Sequence, residues 1–388
     1  METKNGGDPM ATTFVPAEVF PPGEFIREQL KARGWTQNDL ADVMERPIQV
    51  VSEIILAKKR VTEETAKELE AALGVDAEFW LNTEALYRLR HGEPAPSGIA
   101  RRAAIRKRVP LRFMAARGWL PITDDINELE GRVVGYLGVS SLNERQAFAR
   151  AAKQTDYDSE LTPIQEVWLL RAKRLAETQL TPAYSSAKLR EAVNEMRGLL
   201  RSPDDARHVP TLLNRAGVRF VVVERLPGLG IDGVCFWLSP TQPVIVMSLT
   251  RDRIDNFWFV LRHEIEHVLN GDGKAAAIID NDLDSCQSVT EQERAANAAA
   301  ADFCVPKDEM DSFVKRKAPL FNDTNIRQFA QSIGLHSGLV AGQLRKRLSD
   351  GPRGEQAWKL FTSHLAKIRH VVLGTALVDG FGNIPQMD

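Results

Sequence analysis

Apolar side chains follow two rhythms along this chain, and the change between them divides it. Up to about residue 208 they recur at helical spacing; short β-branched and aromatic runs then take over before helical spacing returns. In PPGEFIREQLKARG, Phe25, Ile26 and Leu30 share one face and Gly34 supplies a C-cap. TQNDLADVM opens at the N-cap Thr36, with Asp39 placed for a variant capping box. Pro47 starts IQVVSEIILAKK, and TEETAKELEAALG runs from the cap Thr62 to the stop Gly74. HGEPAPSG at 91–98 breaks the pattern and marks a boundary. Residues 120–205 read as helices without legible chemistry, a connector or scaffold. VRFVVVERL, DGVCFWL and PVIVMSL read as three strands of a small sheet. IDNFWFVLRHEIEHVLN (254–270) and TEQERAANAAAADFCV (290–305) return to helix. NIRQFAQSIGLHSGLVAGQLRKRL reads as two short helices around a loop, and HVVLGTALVDGFGN as one more strand or hairpin.

Composition narrows this picture only a little. The 388 residues suit two to three domains, and 43% apolar with 26% charged residues excludes a wholly disordered chain. Fifty Lys+Arg against 52 Asp+Glu exclude a uniformly basic nucleic-acid coat. The balance hides an asymmetry: Leu86 to Arg117 holds nine basic residues against Glu93 alone, whereas His263 to Asp311 holds twelve acids against three bases. No apolar run reaches membrane-spanning length, and METKNGGDPMATTF lacks a secretory pattern. Cys235, Cys286 and Cys304 are too few for a disulfide framework, so a reducing cytoplasm is expected.

The strongest chemical signal is His263-Glu264-Ile265-Glu266-His267. On a helix, positions i and i+4 share a face, so both imidazoles can reach one ion. Glu264, one residue past the first ligand, can take a proton from water without ligating the metal. Neutral nitrogen ligands, an open position and a basic carboxylate are what zinc hydrolysis needs. Two ligands are too few; the best third is Glu293 on the next helix, with Asn297 four residues on and able to hydrogen-bond a ligand. The alanines at 295–301 would let the two helices lie close. Asp280, Asp282, Asp284 and Glu291 imitate a calcium loop, but Ser285 stands where that loop needs glycine, so a solvated acidic loop is expected.

RHEIEHVLN followed by ERAANAAAADFCVP resembles the ImmA/IrrE family of zinc metallopeptidases, with Glu293, Ala296, Asn297, Ala300 and Pro306 on matching positions. The resemblance implies zinc held by His263, His267 and Glu293, with Glu264 as general base. GLHSGLVAGQL resembles the family's loop after the site, where His336 could stabilise an oxyanion or cap a helix. Glu266 replaces the family's usual Gly; it could raise metal affinity, shape the cleft or pair with Arg262. Cys304 reads as a small buried hydrophobe.

Residues 36–60 have helix-turn-helix form, with Leu40, Ala41, Val43, Val51 and Ile54 as a shared core. Such a unit reads DNA with the start of its second helix, here Ile48, Gln49, Val50 and Ser52, while Lys58, Lys59 and Arg60 hold phosphates and Gln37 offers a further contact. PGEFIREQL, SEIILAKKRVTEETAKELEAALG and FWLNTEALYRL resemble the Xre-type HigA antitoxin family, which implies a homodimeric DNA-binding repressor often paired with a toxin. No arginine stands at the reading positions, and Ala57 replaces a turn glycine. The basic stretch 99–117 is expected to be a phosphate-facing flank.

The expected fold is α+β, mostly α. It comprises a flexible arm (1–19), an all-α helix-turn-helix domain (20–92), a helical connector basic at its start (99–205), a zincin-like domain with a small sheet (206–345) and a C-terminal extension (346–388). The expected function is that of a cytoplasmic DNA-binding regulator whose zinc endopeptidase cleaves a partner regulator, antitoxin or toxin, with no membrane role. The alternative is a HigA-like repressor whose zinc fold binds a partner or senses a signal without proteolysis.

Overall fold

The computed structural model describes residues 18–92, 97–146, 153–154, 161–274, 277–281, 291–373 and 379–380. Most of the expected arm, the middle of the acidic loop with Asp282, Asp284 and Cys286, and the end of the tail lie outside them. The chain divides into two compact units, Met1–Ser97 and Gly98–Asp388.

The described residues of the first unit form five helices: α1 (Pro22–Arg33), α2 (Gln37–Val43), α3 (Ile48–Ile55), α4 (Glu63–Leu73) and α5 (Ala77–His91). Its ends are written locally. Thr36 and Asp39 form the reciprocal capping box, Thr62 caps α4, and Gly34 and Gly74 close their helices in the left-handed conformation. The Thr36 amide and hydroxyl hold the Asp39 carboxyl below the usual carboxylate range. The core gathers Ile26, Leu30, Leu40, Ala41, Val51, Ile54, Leu69 and Trp80. Val43 is a correction: it is half exposed, and Met44, four residues after Leu40 on the same face, fills the expected core position. A side chain at Gly23 would strike the Ile55 carbonyl, so glycine is what lets α1 lie against the end of α3.

The second unit is built on a six-stranded mixed sheet in the order β1-β5-β3-β4-β2-β6, with β1 at Lys153–Gln154, β2 at Arg219–Val223, β3 at Ile231–Trp237, β4 at Pro243–Met247, β5 at Ile278–Asn281 and β6 at Asp379–Gly380. The three expected strands form its centre. β3 pairs antiparallel with β4 and β5, and β4 runs parallel to β2. The strands alternate between two cores. Phe220, Val222, Cys235, Ile245 and Met247 join the core that holds the His263 helix, while Val221, Val223, Val234, Phe236, Val244 and Val246 face the opposite core. Both faces are buried, which is why the strands read as nearly continuous apolar runs, interrupted by Arg219 in β2 and Asp232 in β3.

The second face corrects the expected domain plan. The region taken as a connector, 99–205, is structural: Ile105, Met114, Val133, Leu137, Val167, Trp168 and Leu170 form the layer that covers it. A sheet apolar on both sides needs two covers, so no boundary falls at 205. Nor is 346–388 a separate extension, since Ile368, Val372 and Leu373 belong to the core around the His263 helix. The tail is part helix (Arg369–Val372) and part strand, its Asp379–Gly380 pairing with β2.

The basic stretch is divided between inward contacts and solvent. Arg108 forms a two-bond ion pair with the fully buried Glu166 at 2.6 and 2.8 Å, Arg101 pairs with Glu130, and Arg117 donates to the carbonyls of Glu224 and Arg225. Arg102, Arg106, Lys107 and Arg112, four of the seven basic residues in 99–117, are exposed.

Candidate metal centre and helix-turn-helix surface

Helix Ile254–Asn270 carries His263, Glu264 and His267, all fully buried, and helix Glu291–Cys304 brings in Glu293 at 5% exposure. The contact is close because Ala296 and Ala300 are buried between the helices. The two Nε2 atoms stand 3.0 Å apart; Glu293 Oε2 lies 3.3 Å from that of His263, and Oε1 lies 3.4 Å from that of His267. Four ligands around an ion at bonds of about 2.0–2.1 Å have edges of about 3.3 Å, close to these separations, which run from the two carboxylate oxygens to one imidazole each. These three residues form a group able to hold a metal ion among the described residues.

Each imidazole is oriented by its other nitrogen. Asn297 Oδ1 lies 3.1 Å from His263 Nδ1, the place expected for it. Asp272 Oδ2 lies 3.0 Å from His267 Nδ1. With both Nδ1 atoms engaged, both Nε2 lone pairs point to the shared centre, the tautomer a ligand needs. Asp272 was not foreseen. Its signal is the NGDG turn: Gly271 ends the helix in the left-handed conformation, and the Asp272 amide donates back to the His267 carbonyl at 2.9 Å. That reversal brings the carboxylate beside the ring. The Asp272 carbonyl in turn accepts from Trp237 Nε1 at 2.7 Å, anchoring the turn to β3.

The seat of Glu264 is made by an absence. A Cβ on Gly233 of β3 would stand 2.0 Å from Glu264 Oε1, so only glycine leaves room for the carboxylate against the strand. The β3–β5 register also shifts between Ile231 and Gly233, a bulge of the kind that re-aims side chains beside active sites. Glu266 pairs with Arg262 at 2.7 Å, which selects one of its three expected roles. Cys304 is buried and its thiol is pushed up by burial, as a packing residue requires.

His336 is not in this cluster. It is the N-cap of helix Ser337–Ser349, where Nδ1 accepts from the Gly338 amide at 3.0 Å. Burial, then the neighbouring His364, push its pKa down. Of its two expected roles, the helix cap is the one observed.

In the first unit the turn after α2 is tied to α4 by Arg46, which bonds Glu68 at 2.7 and 3.2 Å. Gln49 is exposed at the start of α3 and donates to Glu53 at 3.2 Å; Lys58, Lys59 and Arg60 are exposed beyond its end. Gln37 and Ser52 are half-buried. Val50 departs from expectation, because it packs against the core and presents little to a groove. Ala57 sits in the left-handed region at φ 57°, where the resemblance placed a glycine.

Comparison with known proteins bears on this unit. Residues 26–80 match the helix-turn-helix family. The chain is 34% identical over 79 residues to virulence-associated protein I of Dichelobacter nodosus, a stretch covering 20% of this chain and 73% of that protein. Through this segment the chain belongs to the helix-turn-helix family, and its first unit is a DNA-binding domain of the Xre type. The family match ends at residue 80, before the second unit begins. No helix among the described residues is long and apolar enough to cross a membrane.

Proposed function

We propose that the second unit is a zinc-dependent endopeptidase, making the chain a DNA-binding regulator that cleaves a partner protein. The observation that carries this reading is the buried triangle of His263, His267 and Glu293 with Glu264 seated beside it in the Gly233 gap. Buried imidazoles and carboxylates at this density are costly without an ion to neutralise them. Zinc would be held by His263, His267 and Glu293, and would supply Lewis-acid activation of water and of the peptide carbonyl. Glu264 takes the proton from the attacking water and passes it to the leaving amine. Asn297 and Asp272 keep the imidazoles in the ligating tautomer, and the buried walls exclude bulk water. The substrate is a repressor, antitoxin or toxin partner, and the first unit dimerises on an operator.

The test is co-expression of the chain with its genomic neighbours, wild type against Glu264→Gln, with metal analysis and mass spectrometry of fragments. Wild type is expected to contain one zinc and to release defined fragments. Glu264→Gln is expected to keep the zinc and lose cleavage by at least about 10²-fold, the usual weight of a general base. Cleavage that survives the substitution would refute the mechanism. The helix-turn-helix match favours a second reading, a repressor whose second unit only binds a partner. On that reading Glu264→Gln leaves regulation intact.

A further inference from the structure

One turn before the metal ligands, the His263 helix opens onto a cavity of about 200 Å³. Phe259, Val260, Ala301, Cys304, Leu339 and Trp358 give it apolar walls. Three observations place it beside the reaction centre. The Phe259 ring stacks on that of His263, with centroids 6.4 Å apart. Val260 flanks the same Gly233 gap as Glu264, 2.9 Å from where a glycine Cβ would stand. Ala301 lies one turn beyond Asn297, the residue that holds His263. The space is below the ~300–1,000 Å³ usual for pockets that take whole small molecules, and suits one large side chain.

Its rim is basic. Arg251, Arg253, Lys346 and Arg347 line it against Asp232 and Asp255. Arg253 is committed to the buried Asp255 at 3.0 and 3.1 Å. Lys346 and Arg347 instead hold Asp350 and Asp311, whose side chains are 62% and 48% exposed. Exposed pairs are weak because water screens both charges, so an incoming carboxylate can take their place.

We infer that this cavity selects the substrate: it receives a large apolar side chain next to the scissile bond, with an acidic residue beside it held by Lys346 and Arg347. The inference rests on the peptidase reading and names the peptide class that reading leaves open. A smaller side chain would leave apolar wall uncovered, with a loss of roughly fourfold in affinity for each missing methylene.

The probes are N-acetyl hydroxamates of phenylalanine and alanine, and of the dipeptides Asp-Phe and Lys-Phe, titrated into the zinc-loaded full chain by calorimetry. The hydroxamate supplies the same metal-binding group in every case, so affinity ratios read the cavity. Phenylalanine is expected to bind at least about tenfold tighter than alanine, and Asp-Phe tighter than Lys-Phe. Ala301→Phe fills the cavity and should bring the phenylalanine-to-alanine ratio close to one while alanine binding persists. Lys346→Glu with Arg347→Glu should invert the Asp-to-Lys preference. A phenylalanine-to-alanine ratio of one in wild type, or a ratio unchanged in Ala301→Phe, overturns the cavity inference and leaves the peptidase reading standing. Failure of every hydroxamate to bind a zinc-loaded chain overturns both.

Discussion

The two units keep their function in opposite places. In the helix-turn-helix unit the side chains proposed to meet DNA, Gln49, Lys58, Lys59 and Arg60, lie on the surface, and the interior presents α3. In the second unit the groups proposed to act are the interior. His263, Glu264, His267 and Glu293 are buried, and glycine, asparagine and aspartate around them fix their positions. A surface site tolerates loose packing and depends on charge; a buried one depends on cavities, tautomers and burial free energy. Substitutions at matching depth should therefore damage the units differently.

The largest expected difference is in stability. Arg108→Ala leaves Glu166, which has no exposed side-chain surface, as a buried charge without its two-bond partner. Breaking a buried pair in this way costs about 3–5 kcal/mol. Chemical denaturation should show the second unit's transition moved down by that amount and the first unit's left in place. Equal movement of both would show that the units do not unfold separately. Loss of at most 1 kcal/mol would show that water reaches Glu166.

Gly233→Ala tests the site without touching a ligand. The added methyl would stand 2.0 Å from Glu264 Oε1, so the carboxylate must move. A displacement of about 1 Å in a catalytic group costs on the order of 10²-fold in rate. Zinc content should be unchanged, because His263, His267 and Glu293 do not meet the methyl. Full activity in this variant would mean that Glu264 does not work from its seat against β3.

That glycine also marks the limit of what the sequence made legible. The caps and stops of the first unit could be read because each is settled within four residues, as Thr36 with Asp39 and Gly74 with Glu70. His263, Glu264 and His267 were legible for the same reason, one turn of one helix, and Glu293 and Asn297 were reached through their spacing on the next. Gly233 and Asp272 were not. Gly233 acts across the gap from strand to helix, and nothing in DGVCFWL distinguishes it from any strand glycine. The role of residues 105–176 was missed because a helix covering a sheet has the same apolar spacing as a connector. The clue was in the strands: β2 after Arg219, and β4 throughout, are apolar on both alternations, which requires two covers.

In the first unit the matching experiment concerns backbone. Ala57 adopts φ 57° in the turn after α3, and its carbonyl accepts from Arg88 at 2.7 Å. A side chain in that conformation costs roughly 1–2 kcal/mol relative to glycine, part of which glycine returns through its freer unfolded chain. Ala57→Gly should stabilise the first unit by up to about 1 kcal/mol in thermal unfolding and leave DNA affinity unchanged. Should affinity fall while stability rises, the strained turn sets the position of Lys58 and Lys59.

The smallest effect is a pH dependence, and it separates cap from catalyst. His336 caps its helix through the Nδ1 lone pair, which exists only while the ring is unprotonated at that atom. Burial and then the charge of His364 hold its folded pKa below the ordinary 6.5. As pH falls through 6.5 the unfolded chain takes up a proton that the folded chain refuses. Stability from this residue is thus complete above 6.5 and is lost on acidification toward the lowered folded value. The ring is only partly buried, so the change is modest. Asparagine caps helices well and does not titrate, so His336→Asn should keep neutral-pH stability and flatten the loss between pH 7 and 5. Cleavage at neutral pH should be unaffected. A large fall in its rate would give His336 the oxyanion role in addition to the cap.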